Sequence, residues 1–350
     1  MNKLFAIAGL GALMAGAAAG QACDRACLEG FVDQYMDALI AHDPKKLPVT
    51  PRMKMTENGQ RLEPGDGFWR TATAKGTYRL FVTDTQAGQV AFLGTMSEAP
   101  PPSMAVPVIV AIRMKVENRQ VSEIETFVVR NMQGANRLDM MGKPNAMLLE
   151  SVPTAQRATR DALMKTANLY YTGLEKNDGK GTYPCTDDCN RVENGTQTTN
   201  NPDYRTSSVY SPPPAIGGRA QGKQAPPPPP PPPEAINPGA MGCKQGFESG
   251  YFHFVTRVRD RRFLAVDPER GLVFSFVFVD HASGKAQNVK LADGREITAG
   301  PKRPWTWESA DAFRIENGKI RRVESIMEQV PYGMQSGWST WEDGMSSTAR

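Results

Sequence analysis

The sequence predicts an α+β protein made of two tandem copies of one unit, each a helix followed by a small hairpin and long antiparallel strands. Residues 114–128 and 313–327 align without a gap at an offset of 199 residues. Both segments have the pattern strand, tight turn, strand, and Asn317-Gly318 tolerates the positive φ angles of a two-residue hairpin. A helical pattern also begins each copy, so the duplication covers most of the chain.

The first copy begins with a helix over residues 24–41. Apolar side chains recur every four residues, Asp24 is placed to cap the helix and Pro44 ends it. A short hairpin around Asn58-Gly59 follows, and residues 106–116 are apolar and β-branched, as in a central strand buried on both faces. The remaining predicted strands are residues 78–82, 89–93 and the hairpin strand that closes the unit near residue 130.

The second copy repeats this order with insertions. Leu163, Ala167, Tyr170 and Leu174 share one helix face. Residues 183–186 match 47–50 at an offset of 136, and the offset grows to 183 and then 199 after inserted loops. We expect a short helix carrying Phe247, Tyr251, Phe254 and Val258, with His253 and Arg257 on one face, and then a strand over 262–266.

The larger insertion, residues 204–240, is rich in proline and glycine. It contains eight consecutive prolines, Pro226 to Pro233. Such a run forms a polyproline II rod of about 25 Å. An exposed loop is the preferred interpretation, and a recognition role for the prolines is the alternative.

Length and composition are those of a globular protein with two cores. The chain has 350 residues, 40% hydrophobic and 22% charged, with a formal net charge of +4. The small net charge and the lack of a Lys/Arg run argue against nucleic-acid binding.

Residues 1–22 have the pattern of a signal peptide, and we expect a periplasmic or secreted protein. Lys3 is followed by a short apolar core and small residues up to Ala22. No stretch is long enough to cross a membrane. Lipidation of Cys23 is the alternative, but Gly20 stands where an apolar residue is expected.

Export permits disulfides, and five cysteines cannot all pair within one chain. Cys189–Cys243 is the preferred bridge, because it would close the base of the long insertion, and Cys185–Cys189 is the local alternative. A metal site at Cys185 and Cys189 is only weakly indicated, because no second cysteine or histidine pair follows at ligand spacing.

The order of elements, with a closing strand pair of the type apolar-x-Glu-Asn-Gly-Lys-Ile, resembles the nuclear-transport-factor-2-like superfamily, also called SnoaL-like. The resemblance covers residues 24–130 and 156–335. It implies a cystatin-like fold, in which a curved antiparallel sheet wraps a long helix into a cone with a hydrophobic pocket at its open end. Members include cofactor-free isomerases, cyclases, dehydratases and lyases, and also non-catalytic binding modules. Residues 330–338 look like the tail of exported two-copy members.

The resemblance divides the chain into a first domain at 23–135, a linker at 136–155 and a second domain at 156–350. The contact that single-domain relatives make by dimerising would then be internal. We therefore expect a monomer or a weak homo-oligomer.

The duplication separates scaffold from site within one sequence. Features shared by both copies, such as Glu125 and Glu324, are assigned to the scaffold. In the second copy Glu308 replaces Ile109 and Asp311 replaces Ile112. Strand alternation places Glu308 on one face and Asp311 on the other, the latter with Trp305, Trp307 and Ser309.

These differences give the candidate residues. Histidine changes charge near neutral pH, and a neighbouring carboxylate can orient it. The candidate catalytic residues are His253, Asp280, His281, Glu308 and Tyr332, and the candidate substrate-binding residues are Trp305, Trp307, Arg257 and Tyr251.

Two functions remain open from the sequence. One is a cofactor-independent acid/base enzyme acting on a small apolar, aromatic molecule in the second cone, and the other is a non-catalytic binding module. The chain has no phosphate-binding glycine loop, nucleophile elbow, Walker lysine or zinc-binding histidine pair, so no cofactor or metal is expected.

Overall fold

The protein was analysed as a computed structural model, which describes residues 23–99, 104–204, 237–282, 287–300 and 303–350. The predicted signal peptide and residues 205–236 of the proline-rich insertion lie outside the described residues.

The first unit is a six-stranded sheet curved around one long helix. Helix α1 (Arg25–Ile40) begins at Asp24, whose side chain accepts a hydrogen bond from the backbone of Cys27 at 2.9 Å. The sheet has the order β2-β1-β6-β5-β4-β3. Its strands are β1 (Val49–Glu57), β2 (Gln60–Arg61), β3 (Ala72–Asp84), β4 (Gln89–Glu98), β5 (Val106–Glu117) and β6 (Gln120–Val129).

Segment 136–155, the expected linker, contains helical structure. Helices α2 (Met132–Met141) and α3 (Ala146–Leu149) connect the units. Ala135 and Leu138 are buried, so α2 is part of the core rather than a free connection.

The second unit repeats the first. Helix α4 (Arg160–Lys176) packs against a six-stranded sheet of order β8-β7-β14-β13-β10-β9. Its other elements are β7 (Cys185–Glu193), β8 (Thr196–Gln197), α5 (Cys243–Glu248), β9 (Arg257–Asp267), β10 (Leu272–His281), β13 (Trp305–Glu316) and β14 (Lys319–Val330). A separate hairpin, β11 (Gln287–Lys290) with β12 (Glu296–Ala299), occupies the second insertion, and α6 (Trp341–Gly344) lies near the carboxyl end.

The duplicated hairpins are confirmed. Asn317 and Gly318 have φ angles of 50° and 71°, and Asn118 and Arg119 have 50° and 59°. Each sheet differs from a purely antiparallel one at a single place, because β1 pairs with β6 and β7 pairs with β14 in parallel. Hairpin turns create only antiparallel neighbours, so the sequence pattern did not reveal these pairings.

The predicted helix over residues 247–258 is wrong. Helix α5 ends at Glu248, Gly250 has a φ of 74°, and Arg257 already belongs to β9. His253 and Arg257 therefore do not share a helix face. The regular spacing of aromatic residues in this segment reflects the lining of a cavity, described below.

The two sheets pack against each other through their outer faces. Phe127 of the first unit meets Phe276 of the second at a ring-centroid distance of 6.3 Å, within one buried apolar cluster. Reciprocal ion pairs flank this cluster: Arg25 contacts Asp267, and Arg160 contacts Asp84, each at 2.8 Å. The contact between copies is thus internal to the chain, and the apolar area it buries stabilises both units.

Two disulfides are present, Cys23–Cys27 and Cys189–Cys243, and Cys185 is a buried free thiol. The preferred bridge is confirmed, and the alternative Cys185–Cys189 bridge does not form. Among the described residues, no helix is both long and apolar enough to cross a membrane.

Candidate functional site

A cavity of about 500 Å³ opens into the second unit. Its walls are α4, the inner face of β7, β13 and β14, and the segment 251–255 that follows α5. Thr298 and Gly300, at the end of the β11–β12 hairpin, also line it. A volume of this size accommodates a small organic molecule.

Aromatic side chains form two walls of the cavity. Trp305 and Trp307 lie two residues apart on the same face of β13, with ring centroids 4.5 Å apart. Across from them lie Tyr251, Phe252 and Phe254, whose rings meet edge to face at centroid distances of 5.4 to 6.3 Å. Such walls suit an aromatic or otherwise apolar ligand body.

Between the aromatic walls, a row of four polar residues runs across neighbouring strands of the sheet. Glu193 of β7 is in register with Ser325 of β14, Ser325 with Asp311 of β13, and Asp311 with Ser275 of β10. Because paired residues on neighbouring strands project to the same face, the four side chains are directed into the cone.

Asp311 is the central acid of the row and is 4% exposed. Tyr171 of α4 donates a hydrogen bond of 2.6 Å to Asp311 Oδ2, and Ser309 donates one of 2.8 Å to Oδ1. Burial raises the pKa of Asp311, and hydrogen bonds from Ser325, Tyr171 and Ser309 oppose that rise. Burial, reinforced by Asp311, raises the pKa of Tyr171 well above its usual range, so the phenol keeps its proton.

A second polar group lies on β7. Arg191 Nε is 2.8 Å from Glu193 Oε1, and its Nη1 donates to the Tyr170 hydroxyl at 3.3 Å. The guanidinium also lies over the Phe252 ring, 5.1 Å from its centroid. Burial raises the pKa of Tyr170 to about 12, so this phenol too stays protonated at neutral pH.

The equivalent space in the first unit is filled by apolar side chains. Tyr35 occupies the position of Tyr171, but Ile112 stands at Asp311 and Phe92 at Ser275, and both are fully buried. Trp69, at the position of Phe252, packs edge to face on Tyr35 at 5.5 Å. In the second unit, Asp311 and Ser275 are polar. They are also smaller than their counterparts, so they leave open the space that apolar side chains fill in the first unit.

Three sequence-predicted residues line the cavity: Trp305, Trp307 and Tyr251. The predicted strand alternation is also confirmed, because Ser309 and Asp311 face the cavity with both tryptophans, whereas Glu308 does not line it.

Asp280 and Arg257 do not line the cavity, which corrects their expected placement. Asp280 is fully buried, and one of its oxygens accepts hydrogen bonds from Arg257 and Arg259 at 2.6 and 2.9 Å. Thr306 donates to the other oxygen at 2.7 Å. A carboxylate whose oxygens are engaged by two guanidinium groups and a hydroxyl is an anchor between β9, β10 and β13.

The two histidines flank the cavity without entering it. His281 is fully buried and stacks on Trp305 with 3.9 Å between ring centroids, and burial lowers its pKa to about 4. His253 contacts the Tyr251 carbonyl oxygen through Nδ1 at 3.3 Å, and burial lowers its pKa as well. Both rings are therefore neutral at physiological pH and support aromatic side chains of the wall.

Glu308 and Tyr332 lie elsewhere. Glu308 is on the outer face of the sheet, at the contact between units, where burial and the Glu125 carboxylate raise its pKa to about 8. Tyr332 is 46% exposed, in the turn after β14. Neither residue lines the cavity.

The candidate set lacked several residues that the structure places in the cavity. Asp311 had been distinguished by the comparison of copies, and the same comparison pairs Ser275 with Phe92 and Arg191 with Met55. Tyr171 gave no such signal, because its counterpart Tyr35 is also a tyrosine. Within the described part of the chain, no group of three or more His, Cys, Asp or Glu side chains is arranged to hold a metal.

Together, the two curved six-stranded sheets, each enclosing one long helix, define a tandem α+β protein of cystatin-like architecture, with a cavity in its second unit. The chain belongs to the family described as domain of unknown function DUF8021, whose model matches residues 21–128 and 156–327. No curated protein matches the chain.

Solved structures similar to this chain include a protein of unknown function with a cystatin-like fold from Methylobium petroleophilum PM1. It is 15% identical over 31% of this chain and 80% of that chain, with a TM-score of 0.25. AclR, a putative hydroxylase from Streptomyces galilaeus, is 12% identical over 38% and 92%, with a TM-score of 0.26. A putative polyketide cyclase from Xanthomonas campestris pv. campestris is 11% identical over 31% and 93%, with a TM-score of 0.26.

Proposed function

We propose that the second unit is a cofactor-independent enzyme that transfers a proton on a small, largely apolar, aromatic molecule, in the manner of an isomerase, dehydratase or lyase. The observation that carries the proposal is the Asp311–Tyr171 pair, 2.6 Å apart in a cavity with aromatic walls. Buried acids with perturbed pKa values in a concave apolar site are typical of acid/base catalysis.

In this proposal Asp311 is the general base. Burial raises its pKa towards neutral and so strengthens it as a proton acceptor. Tyr171 and Ser309 hold the carboxylate from two sides and fix its direction. Tyr171 is therefore a positioning residue, whereas Asp311 contacts the substrate.

The Arg191–Glu193 pair supplies the complementary charge. Arg191 has 11% and Glu193 10% of the side chain exposed, so both act in a partly desolvated environment. The guanidinium and the Tyr170 hydroxyl can donate hydrogen bonds to an oxygen on which negative charge develops. Base and donor would then act on one substrate between the aromatic walls.

The test uses deuterium exchange on an aromatic ketone. Tetralone labelled at the carbon next to the carbonyl is incubated with the protein, and loss of label is followed by NMR. Asp311→Asn should slow the exchange at least about hundredfold, and Glu308→Gln, on the outer face of the sheet, should leave it unchanged. Exchange that persists in D311N would assign the proton transfer to another group.

A non-catalytic binding module is the second candidate. It is favoured by the saturation of Asp311, which accepts hydrogen bonds from Tyr171, Ser309 and Ser325. Binding of tetralone without any exchange would select this function over the enzyme.

We further propose that the protein is exported, with residues 1–22 removed, and acts as a monomer. The two disulfides support an oxidising location. The bridge to Cys27 occupies the Cys23 sulfur that a lipid would need. Amino-terminal sequencing of the protein from a cell envelope or medium fraction should begin at Cys23, and sedimentation should give the mass of one chain.

A further inference from the structure

We infer that the cavity of the second unit selects a small organic cation, an amine whose ammonium group lies against Asp311 while its aromatic body lies between the tryptophan and phenylalanine walls. This inference deepens the proposed function, since it rests on the cavity binding an aromatic molecule and specifies the charge of that molecule.

Among the described residues that line the cavity, the charged side chains leave an excess of one carboxylate. Arg191 and Glu193 neutralise each other at 2.8 Å. Asp311 has only hydroxyl donors as direct partners, and no ion pair reaches it from the residues that the structure describes. A buried carboxylate without a cationic partner is costly, and a cationic ligand would offset that cost.

The aromatic walls favour the same kind of ligand. The faces of Trp305, Trp307 and Tyr251 are rich in π-electron density and attract cations placed within about 6 Å. The histidines beside the walls add no opposing charge, because burial lowers the pKa of both His281 and His253. An anionic ligand would instead meet two carboxylates and one already paired guanidinium.

The first unit provides an internal comparison. With Ile112 in place of Asp311 and Val108 in place of Trp307, the carboxylate and one aromatic face are absent together. The features that recognise a cation therefore occur jointly in one copy of the repeat.

A carboxylate that contacts an ammonium group can also exchange a proton with it. One N–H bond breaks, its electron pair remains on nitrogen, and the proton moves to an Asp311 oxygen. The reverse step restores the ammonium ion, so no further reactant is needed.

Calorimetric titration of three matched probes tests the inference. Naphthylmethylamine is cationic, naphthylmethanol is neutral and naphthylacetate is anionic, with nearly the same aromatic body. The amine should bind the wild-type protein at least about tenfold more tightly than the alcohol. Asp311→Asn should remove this preference for the amine over the alcohol, whereas Glu308→Gln should retain it.

If D311N does not fold, the wild-type protein provides the same test through pH. The charged or titratable groups that face Asp311 from the described elements are Tyr170 and Tyr171 of α4 and the Arg191–Glu193 pair of β7. The preference for the amine should disappear when acid protonates Asp311, while the affinity for the alcohol should remain constant. A preference that persists after acidification would contradict the role of Asp311.

The outcomes separate this inference from the proposed function. Equal affinities for amine and alcohol would overturn the cation selectivity and leave an aromatic-binding cavity. Tightest binding of naphthylacetate would overturn it in favour of recognition by Arg191. If no probe bound, both the inference and the proposed function would fail.

Discussion

Tyr171 donates a hydrogen bond of 2.6 Å to Asp311, whereas its counterpart Tyr35 shares one of 3.0 Å with Thr126. The phenol keeps its place in both units, but its partner changes from a neutral hydroxyl to a carboxylate. The same scaffold position is thus a core contact in the first unit and part of a polar site in the second.

Tyr171→Phe should shift the pH dependence of ligand binding to higher pH. The phenol stabilises the ionised form of Asp311, so its removal raises the pKa of that carboxyl further. The midpoint is measured by titrating naphthylmethylamine over a pH series. Tyr35→Phe is the matched control in the first unit, and a midpoint that does not move in Y171F would contradict the assigned contact.

Glu308 should make the protein less stable as the pH rises. Burial and Glu125 raise its pKa from 4.5 to about 8, so the folded state binds the proton more tightly than the unfolded state. The stability contribution of this group is fully present below the unfolded pKa and is lost as the pH rises to about 8.

Glu308→Gln removes this dependence, because glutamine does not titrate. The melting temperature of E308Q should match that of the wild type at about pH 5 and exceed it by several degrees at about pH 8. If the difference in melting temperature between E308Q and the wild type were the same at both pH values, the burial of Glu308 would be contradicted.

Arg262→Ala should destabilise the contact between the units. Arg262 donates two hydrogen bonds of 2.8 Å to Glu125 of the first unit, and both groups are buried. Without it, the ion pair that Glu125 retains among the described residues is the one with the more distant Arg113, at 3.5 Å. We expect a loss of about 3 kcal/mol in the free energy of unfolding, measured by denaturant titration.

The control for this variant is Arg70→Ala, which removes an ion pair with Asp66 whose side chains are 72% and 49% exposed. Exposed pairs contribute little, so its unfolding curve should overlay that of the wild type. Equal losses in the two variants would mean that burial of the Arg262 pair does not matter.

Replacement of both Cys189 and Cys243 by serine should weaken the second unit. The bridge spans a sequence separation of 54 residues and fixes α5, which leads into the aromatic wall that begins at Tyr251. Chain entropy predicts a loss of about 4 kcal/mol, against about 2 kcal/mol for the same change at Cys23 and Cys27, which are four residues apart. Calorimetric melting measures both, and probe affinity should fall only in the first variant.

The hairpin turn at Asn317 and Gly318 could be predicted from the sequence, because its geometry depends on residues adjacent in the chain. The register of the two copies followed from the same repeat and distinguished Asp311 from Ile112. The helix expected over residues 247–258 was wrong, because α5 ends at Glu248 and Tyr251 and Phe254, though spaced for one helix face, line the cavity from a turn. Local spacing does not distinguish those two uses.

Three of the residues predicted from the sequence to bind substrate, Trp305, Trp307 and Tyr251, line the cavity, and their roles there remain predictions. They could be found because one aromatic face of a strand and one aromatic segment are visible in the sequence. Asp280 and His281 are adjacent in the chain but point to opposite faces of β10. Asp280 is therefore engaged by Arg257 and Arg259, and His281 by Trp305.

By itself the sequence determined the duplicated α+β units, the hairpin turns and the copy in which polar residues depart from the scaffold. These features depend on local backbone preference, periodicity and internal comparison. Only the tertiary structure decided that Tyr171, Asp311 and Arg191 meet in one cavity and that Glu308 faces the other unit. Those contacts join residues far apart in the chain, and their chemistry depends on burial and neighbouring charge, which no local pattern encodes.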